Sequence, residues 1–290
     1  METVEKIAIV GSGVVGLATG QALSTLGHQV TYVDVSPRRR SELDQMGIAC
    51  SPNLQLGLQS TLIFVAVPTP SNGTNYDLTI FRSALESIGK QLAKSEGRHV
   101  IATRSTVPPM TAEQLVGPTL QTASGLQCDV GFDVASAPEF LRQATALDDA
   151  LHPWMTVVGA RNSEVRERLA KLFAPLGGEQ RIFEDPTVTE LIKIVHNCFN
   201  ASKISFFNEI ASIASALGID ADQVAGVVVR SAEAARNPQY GTRGGFAYGG
   251  ACLPKDMDGL IGFAQELELE APLLRAVRQV NDEMVKRQTN

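Results

Sequence analysis

Cysteine is scarce: the 290 residues hold four, Cys50, Cys128, Cys198 and Cys252, and no two form a C-x-x-C pair. Thiols this far apart argue against a disulfide framework and against a structural zinc site; they fit a reducing cytoplasm. Positive charge is also short. With a formal net charge of −6 there is no electrostatic case for nucleic acid or for an anionic membrane surface. Any phosphate-bearing ligand must therefore be held by local features. No apolar run reaches the roughly 18 residues a membrane span needs. The start of the chain, Lys6 followed by small apolar residues, has the outline of a signal peptide, but the glycine spacing described next accounts for that stretch better. Repeats and low-complexity tracts are missing too. What remains is an ordinary globular composition, long enough for one large or two ordinary domains.

What is present begins at Ile7–Val10, a short β-branched run followed by Gly11-Ser12-Gly13-Val14-Val15-Gly16 and a helical pattern to about Ser24. This is G-x-G-x-x-G between a strand and a helix. Gly11 permits the tight turn, Gly13 lets the backbone approach a pyrophosphate, and Gly16 lets helix and strand pack closely. The helix N-terminus then faces the pyrophosphate charge. A second strand at Gln29–Val33 ends in Asp34, 18 residues after Gly16, near the spacing expected for an acid that bonds a ribose hydroxyl. The motif alone is weak; strand, turn, helix, strand and acid in register are strong. Asp34 disfavours a 2′-phosphate, so the expected cofactor is NAD. Arg38, Arg39 and Arg40 leave NADP open unless they form a solvated helix face.

Further strands are predicted at Leu62–Val67, His99–Thr103, Val130–Ser136, Met155–Val158 and Arg181–Phe183, with helical patterns between them and Asp77 as a helix N-cap. This alternation predicts an α/β fold with a doubly wound parallel, Rossmann-type sheet. Ligands on such sheets bind beyond the carboxyl ends of the strands. Asp34, Val67-Pro68-Thr69, Ser105-Thr106 and Ala137-Pro138-Glu139 all follow strands and should share one rim. After Asp185-Pro186 strand signals stop, and Thr187 to Leu217 reads as one long helix. The predicted division is a dinucleotide-binding domain over 1–185 and an all-helical domain over 186–290. Lys193 and Asn197, four residues apart, share a face of the long helix, and a lysine among Ile192, Ile194 and Val195 is costly without partners. The asparagines Asn197, Asn200 and Asn208 read equally well as a polar seam between helices.

The second chemically distinctive stretch is Gly249-Gly250-Ala251-Cys252-Leu253-Pro254-Lys255-Asp256. Pro254 can open a helix, which would set Cys252 at its positive end, with Lys255 nearby, and favour the thiolate. The glycines leave room for a substrate. The alternative is a buried, inert cysteine, the commoner fate of an isolated thiol.

Taken together these segments resemble the UDP-glucose/GDP-mannose dehydrogenase family of nucleotide-sugar 6-dehydrogenases. The matching pieces run in family order: Gly11 to Gly16, Val67 to Pro70, Ser105 to Pro108, Pro138-Glu139-Phe140-Leu141, Glu190 to Lys193 with Asn197, Lys203 to Ile210, and Gly249 to Asp256. Arg243 and Phe246 to Gly250 look closer to the GDP-mannose branch. The resemblance implies a four-electron oxidation of a primary alcohol to a carboxylate with two NAD⁺, and a homodimer through the long helix. By the same resemblance Cys252 is the nucleophile and Lys193 and Asn197 stabilise oxyanions. Glu139 positions the hydrolytic water, Asp256 assists proton transfer, and Thr106 sits near nicotinamide and water. Phe140, Leu141, Arg243, Tyr248 and Gly249 join Glu139, Lys193 and Asn197 at the substrate.

Three departures stand out. The family continues into a third, Rossmann-like domain that has no counterpart within residues 1–290, so a fragment and a short form are both open. The segment between Asp34 and Phe64 is shorter than usual and lacks a Glu-Pro-Gly-Leu turn. Gln143-Ala144 stands where Glu-Gly is common, and Asn200 where the GDP-mannose branch tends to have His. Two rivals remain: a two-electron alcohol or hydroxyacid dehydrogenase working through Lys193 and Asn197, and a non-catalytic cofactor-binding or dimerisation piece.

Overall fold

The computed structural model describes residues 4–52, 60–71, 75–231, 235, 237, 245–250 and 253–289, apart from the side chains of 255, 256 and 289. The chain divides into two compact units, Met1–His196 and Asn197–Asn290.

The first unit is built on one eight-stranded sheet. Its strands are β1 (Lys6–Val10), β2 (Gln29–Val33), β3 (Cys50–Ser51), β4 (Leu62–Val65), β5 (His99–Thr103), β6 (Phe132–Ser136), β7 (Met155–Ala160) and β8 (Glu179–Phe183), in the order β3-β2-β1-β4-β5-β6-β7-β8. The order reverses beside β1, which makes a crevice at the carboxyl ends of β1 and β4. Side chains alternate between the faces, as a period of two requires. Ile7, Ile9, Leu62 and Phe64 pack on one side with Leu23 of α1 (Val14–Thr25) and with Leu169 and Phe173 of α6 (Ser163–Phe173). Ala8, Val10, Ile63 and Val65 pack on the other with Phe81, Leu85 and Ile88 of α3 (Thr79–Leu92) and Leu120 of α4 (Gly117–Ser124). Burial on both faces explains why the strands read as unbroken apolar runs. Asp77, expected as the N-cap of α3, stands one residue before the cap Leu78, and its carboxylate accepts the Thr79 N–H at 2.9 Å.

The sheet departs from the expected all-parallel pattern once. β6 and β7 are antiparallel, pairing Ala135 with Ala160 and Ser136 with Gly159. The helix between them, α5 (Ala146–Leu151), has six residues. It rises about 9 Å, less than the roughly 16 Å a five-residue strand covers, so it does not return the chain to the far edge. α6 is long enough, and β7 and β8 are parallel again.

The long helix α7 (Pro186–Ala216) begins in the first unit and continues into the second. The second unit also holds α8 (Ala221–Val228), α9 (Leu253–Glu266) and α10 (Pro272–Thr289). Its core gathers Ile213, Ala264, Ala271 and Leu274, with Phe206, Leu260 and Ile261 against them. Glu209 accepts the N–H groups of Leu273 and Leu274, capping the first turn of α10. Among the described residues no helix is long and apolar enough to cross a membrane.

Candidate active site

β1 ends at Val10, and the chain turns at Gly11 with φ +91°. A Cβ on Gly11 would stand 2.7 Å from the Ala66 carbonyl oxygen, and one on Gly16 would run into the Gly11 carbonyl oxygen. Only glycine fits either place. Gly13 differs: a Cβ there would meet nothing within 4 Å, because its backbone faces open space. Gly13 is also the residue before α1, and no side chain among the described residues caps that helix. N–H groups in the first turn of such a helix favour an anionic ligand.

The space they face is a cavity of about 570 Å³ lined by Gly11, Gly13, Val14 and Val15 from the turn and by Asp34, Val67, Pro68, Thr69, Ser105 and Thr106 from the strand exits. An adjoining cavity of about 690 Å³ shares Gly11, Asp34, Val67 and Pro68 with it. Gly16 does not line either cavity; its part is the close packing of α1 on β1. The Asp34 carboxylate accepts the Ser12 N–H at 2.8 Å and the Ser36 N–H at 2.9 Å, which fixes its direction and leaves lone pairs for a ribose hydroxyl. The three neighbouring arginines, on α2 (Pro37–Gln45), sort themselves by place. Arg38 pairs with Glu42 in solvent, and Arg40 donates to the Asp34 and Val35 carbonyls. Arg39 alone of the three lines the cavity, with its Nε on the Ser12 carbonyl at 2.6 Å and Nη1 on Glu42.

The exits of β4, β5 and β6 are tied to one another. Ser105 Oγ donates to the Val67 carbonyl and Thr69 Oγ1 to the Thr106 carbonyl, both at 2.6 Å. Glu139, on the same rim and buried, touches the cavity. Its Oε1 lies 3.2 Å from Nζ of Lys193, which is 5% exposed. Its Oε2 accepts the Leu141 N–H. The lysine that looked costly in sequence thus has an ionic partner, and its ammonium also stands 5.5 Å from the Phe140 ring centre. Phe140, Trp154 and His196 form an aromatic group beside the pair, with His196 5.0 Å from Phe140 and stacked on Trp154 at 5.8 Å. Burial pushes the His196 imidazole below its ordinary pKa, and Lys193 adds to the shift. One turn before Lys193, Glu190 accepts the N–H groups of Thr111 at 3.1 Å and Ala112 at 2.8 Å. Burial raises its carboxyl to about 7 against those bonds.

The remaining candidates fall in the second unit or outside the described residues. Asn197 is exposed, one turn beyond Lys193 on α7. Tyr248 exchanges two backbone hydrogen bonds with the Asn281 amide, its N–H to Oδ1 at 2.7 Å and its carbonyl from Nδ2 at 3.1 Å, and its buried hydroxyl has no partner among the described residues. Gly249 is exposed. Arg243 and Cys252, and the side chain of Asp256, lie outside the described residues. Sequence reasoning weighed Arg39 only as one of three neighbouring arginines and passed over Arg104, Trp154 and His196. The one available signal was position: Arg104 directly precedes Ser105 at a strand end.

A glycine turn under a helix with no side-chain cap among the described residues, with an acid closing the next strand, is the arrangement that holds a dinucleotide, and a buried ionic pair stands beside the same rim. The class so defined is an NAD-dependent dehydrogenase. Known proteins narrow it. Residues 55–177 match the NAD binding domain of the UDP-glucose/GDP-mannose dehydrogenase family and residues 187–283 its central domain. Residues 6–50 match pyridine nucleotide-disulphide oxidoreductases. The chain is 36% identical to a GDP-mannose 6-dehydrogenase of Pseudomonas savastanoi pv. phaseolicola and 34% identical to a UDP-glucose 6-dehydrogenase of Haloferax volcanii. The alignments cover 97% and 96% of this chain and 69% of each relative. The crystal structure of a ternary complex of GDP-mannose dehydrogenase from Pseudomonas aeruginosa superposes with a TM-score of 0.91 at 32% identity, over 97% of this chain and 69% of that one. The chain belongs to the UDP-glucose/GDP-mannose dehydrogenase family.

Proposed function

We propose that the protein oxidises the C6 alcohol of a nucleotide-linked sugar to the carboxylate. The reading is carried by buried Lys193 paired with Glu139, which lines the dinucleotide cavity, and it is supported by relatives named for 6-dehydrogenation of GDP-mannose and UDP-glucose. Overall, alcohol, two NAD⁺ and water become carboxylate, two NADH and three protons. When bound, NAD⁺ accepts one hydride from the sugar carbon in each oxidation.

The chain's own groups do the rest. The Lys193 ammonium, held by Glu139, and the Asn197 amide stabilise negative charge on the substrate oxygen. The Cys252 thiolate adds to the aldehyde carbon, and the resulting thiohemiacetal carries the second hydride. Water then cleaves the C–S bond of the thioester, releasing the acid and the thiol. Glu139 positions that water, with Thr106 beside it, and Asp256 relays the proton. Phe140, Leu141, Arg243, Tyr248 and Gly249 contact the sugar nucleotide. The division of labour falls near residue 185, with 1–185 holding the dinucleotide and 186–290 carrying Lys193, Asn197 and Cys252. The helical part also forms a homodimer through α7, where exposed Val188, Leu191, Val195 and Phe199 recur at three- and four-residue steps.

The test is Cys252→Ser with GDP-mannose, UDP-glucose and free hexoses, read by mass spectrometry. Acid formation should stop while first-step NADH persists. An unchanged acid yield would remove Cys252 from the mechanism and favour a two-electron dehydrogenase working through Lys193 and Asn197.

A further inference from the structure

We propose that Arg104 is a positioning residue that locks the Ala137–Glu139 turn to the cofactor helix α1 and so fixes where the Glu139–Lys193 pair stands on the cavity rim. The proposal rests on the roles given above to Glu139 and Lys193.

Arg104 leaves the end of β5 with its side chain turned inward, and the residue is 9% exposed. Its guanidinium touches three other elements. Nη1 donates to two consecutive carbonyls, Ala137 at 2.8 Å and Pro138 at 3.1 Å. Nε donates to Thr19 Oγ1 on α1 at 3.2 Å. Cζ lies 5.3 Å from the ring centre of Phe173, at the end of α6. Arg104 also lines the dinucleotide cavity together with Glu139.

The turn it grips needs an outside hold. Ala137 N–H still bonds to the Thr103 carbonyl, the last link to β5. Pro138 has no N–H to give. The two carbonyls before Glu139 are thus satisfied by one guanidinium nitrogen, and Nε of the same rigid plane ties it to the helix whose first turn faces the cavity. A lysine carries a compact point charge on a flexible stem and lacks this plane. Burying a guanidinium is expensive unless it is bonded; burial pulls its pKa down to about 10, and Glu139 opposes that shift. Core filling would not need a cation here. Holding a catalytic carboxylate in register with a cofactor does, because a misplacement of about 1 Å can cost roughly 100-fold in rate.

The experiment compares the parent with Arg104→Lys and Arg104→Ala. It reads NAD⁺ affinity by titration calorimetry, kcat, and hydrogen exchange of the 137–141 amides without substrate. Expected are a fall in kcat of about 100-fold, a change in NAD⁺ Kd at least about tenfold smaller than that fall, and faster exchange confined to 137–141. Guanidinium chloride, far below denaturing levels, should restore part of kcat to Arg104→Ala and none to Lys193→Ala. If Arg104→Ala does not fold, Arg104→Lys carries the test. The proposal is overturned if kcat stays within threefold of the parent. It is also overturned if exchange rises across the whole unit with NAD⁺ affinity lost, which is what a merely structural cation would give. If the parent itself turns over no nucleotide sugar, the proposed function fails, and unchanged 137–141 exchange would independently sink the role of Arg104.

Discussion

Replacing Glu139 by Gln isolates the ionic pair on the rim. The charges lie 3.2 Å apart, which gives 332/(20 × 3.2), or roughly 5 kcal/mol, at an effective dielectric constant of about 20. Both residues are less than a tenth exposed, so solvent does little to replace the lost attraction. Breaking a buried pair from one side costs about 3–5 kcal/mol, and the contact with Phe140 offsets at most about 2 kcal/mol of that. At a few degrees per kcal/mol, Tm of Glu139→Gln should fall by roughly 10 °C. Calorimetric melting at neutral pH reads this directly. Glu139→Gln with Lys193→Met should recover most of the loss, since removing both charges leaves none stranded. A single variant melting within a degree of the parent would refute the reasoning, and so would a double variant no better than the single one.

Gly16→Ala should unfold or strongly destabilise the first unit through collision with the Gly11 carbonyl, whereas Gly13→Ala should melt like the parent and lose NAD⁺ affinity; equal effects on melting would contradict the assignment. Asp34→Ala should weaken NAD⁺ binding about tenfold or more, the value of a charge-assisted hydrogen bond, and narrow the preference over NADP⁺, both read by titration. Glu190 carries a sign that can be checked. Its folded carboxyl is raised from 4.5 to about 7, so its contribution is full below about pH 4.5 and is lost as pH rises through 7. The Tm of the parent minus that of Glu190→Gln should decline between pH 5 and 8, by the equivalent of roughly 3 kcal/mol. A difference flat across that range would show that Glu190 does not titrate there.

How much could be read beforehand follows from how local each feature is. The turn at Gly11–Gly16 and the acid at Asp34 depend on spacing within one βαβ unit, and the cavity contains Gly11, Gly13 and Asp34. The shared rim of Val67, Ser105, Thr106 and Glu139 follows from topology, because parallel strands deliver all their exits to one edge. The two-residue β3 is too short to show a period. The antiparallel β6–β7 pair turns on the length of α5, which an α/β pattern does not fix. The sorting of Arg38, Arg39 and Arg40 needed the fold, since neighbouring helical positions point about 100° apart. The guanidinium of Arg104 joins Thr19, Ala137 and Pro138 across more than a hundred residues of chain, and no local pattern announces it.

The central claim is a double oxidation at one carbon. Counting NADH against uronic acid, by absorbance and mass spectrometry on one reaction with GDP-mannose or UDP-glucose, tests it most directly. Two NADH for each acid formed is the predicted ratio; one NADH per substrate consumed, with the product left as aldehyde or ketone, would contradict it.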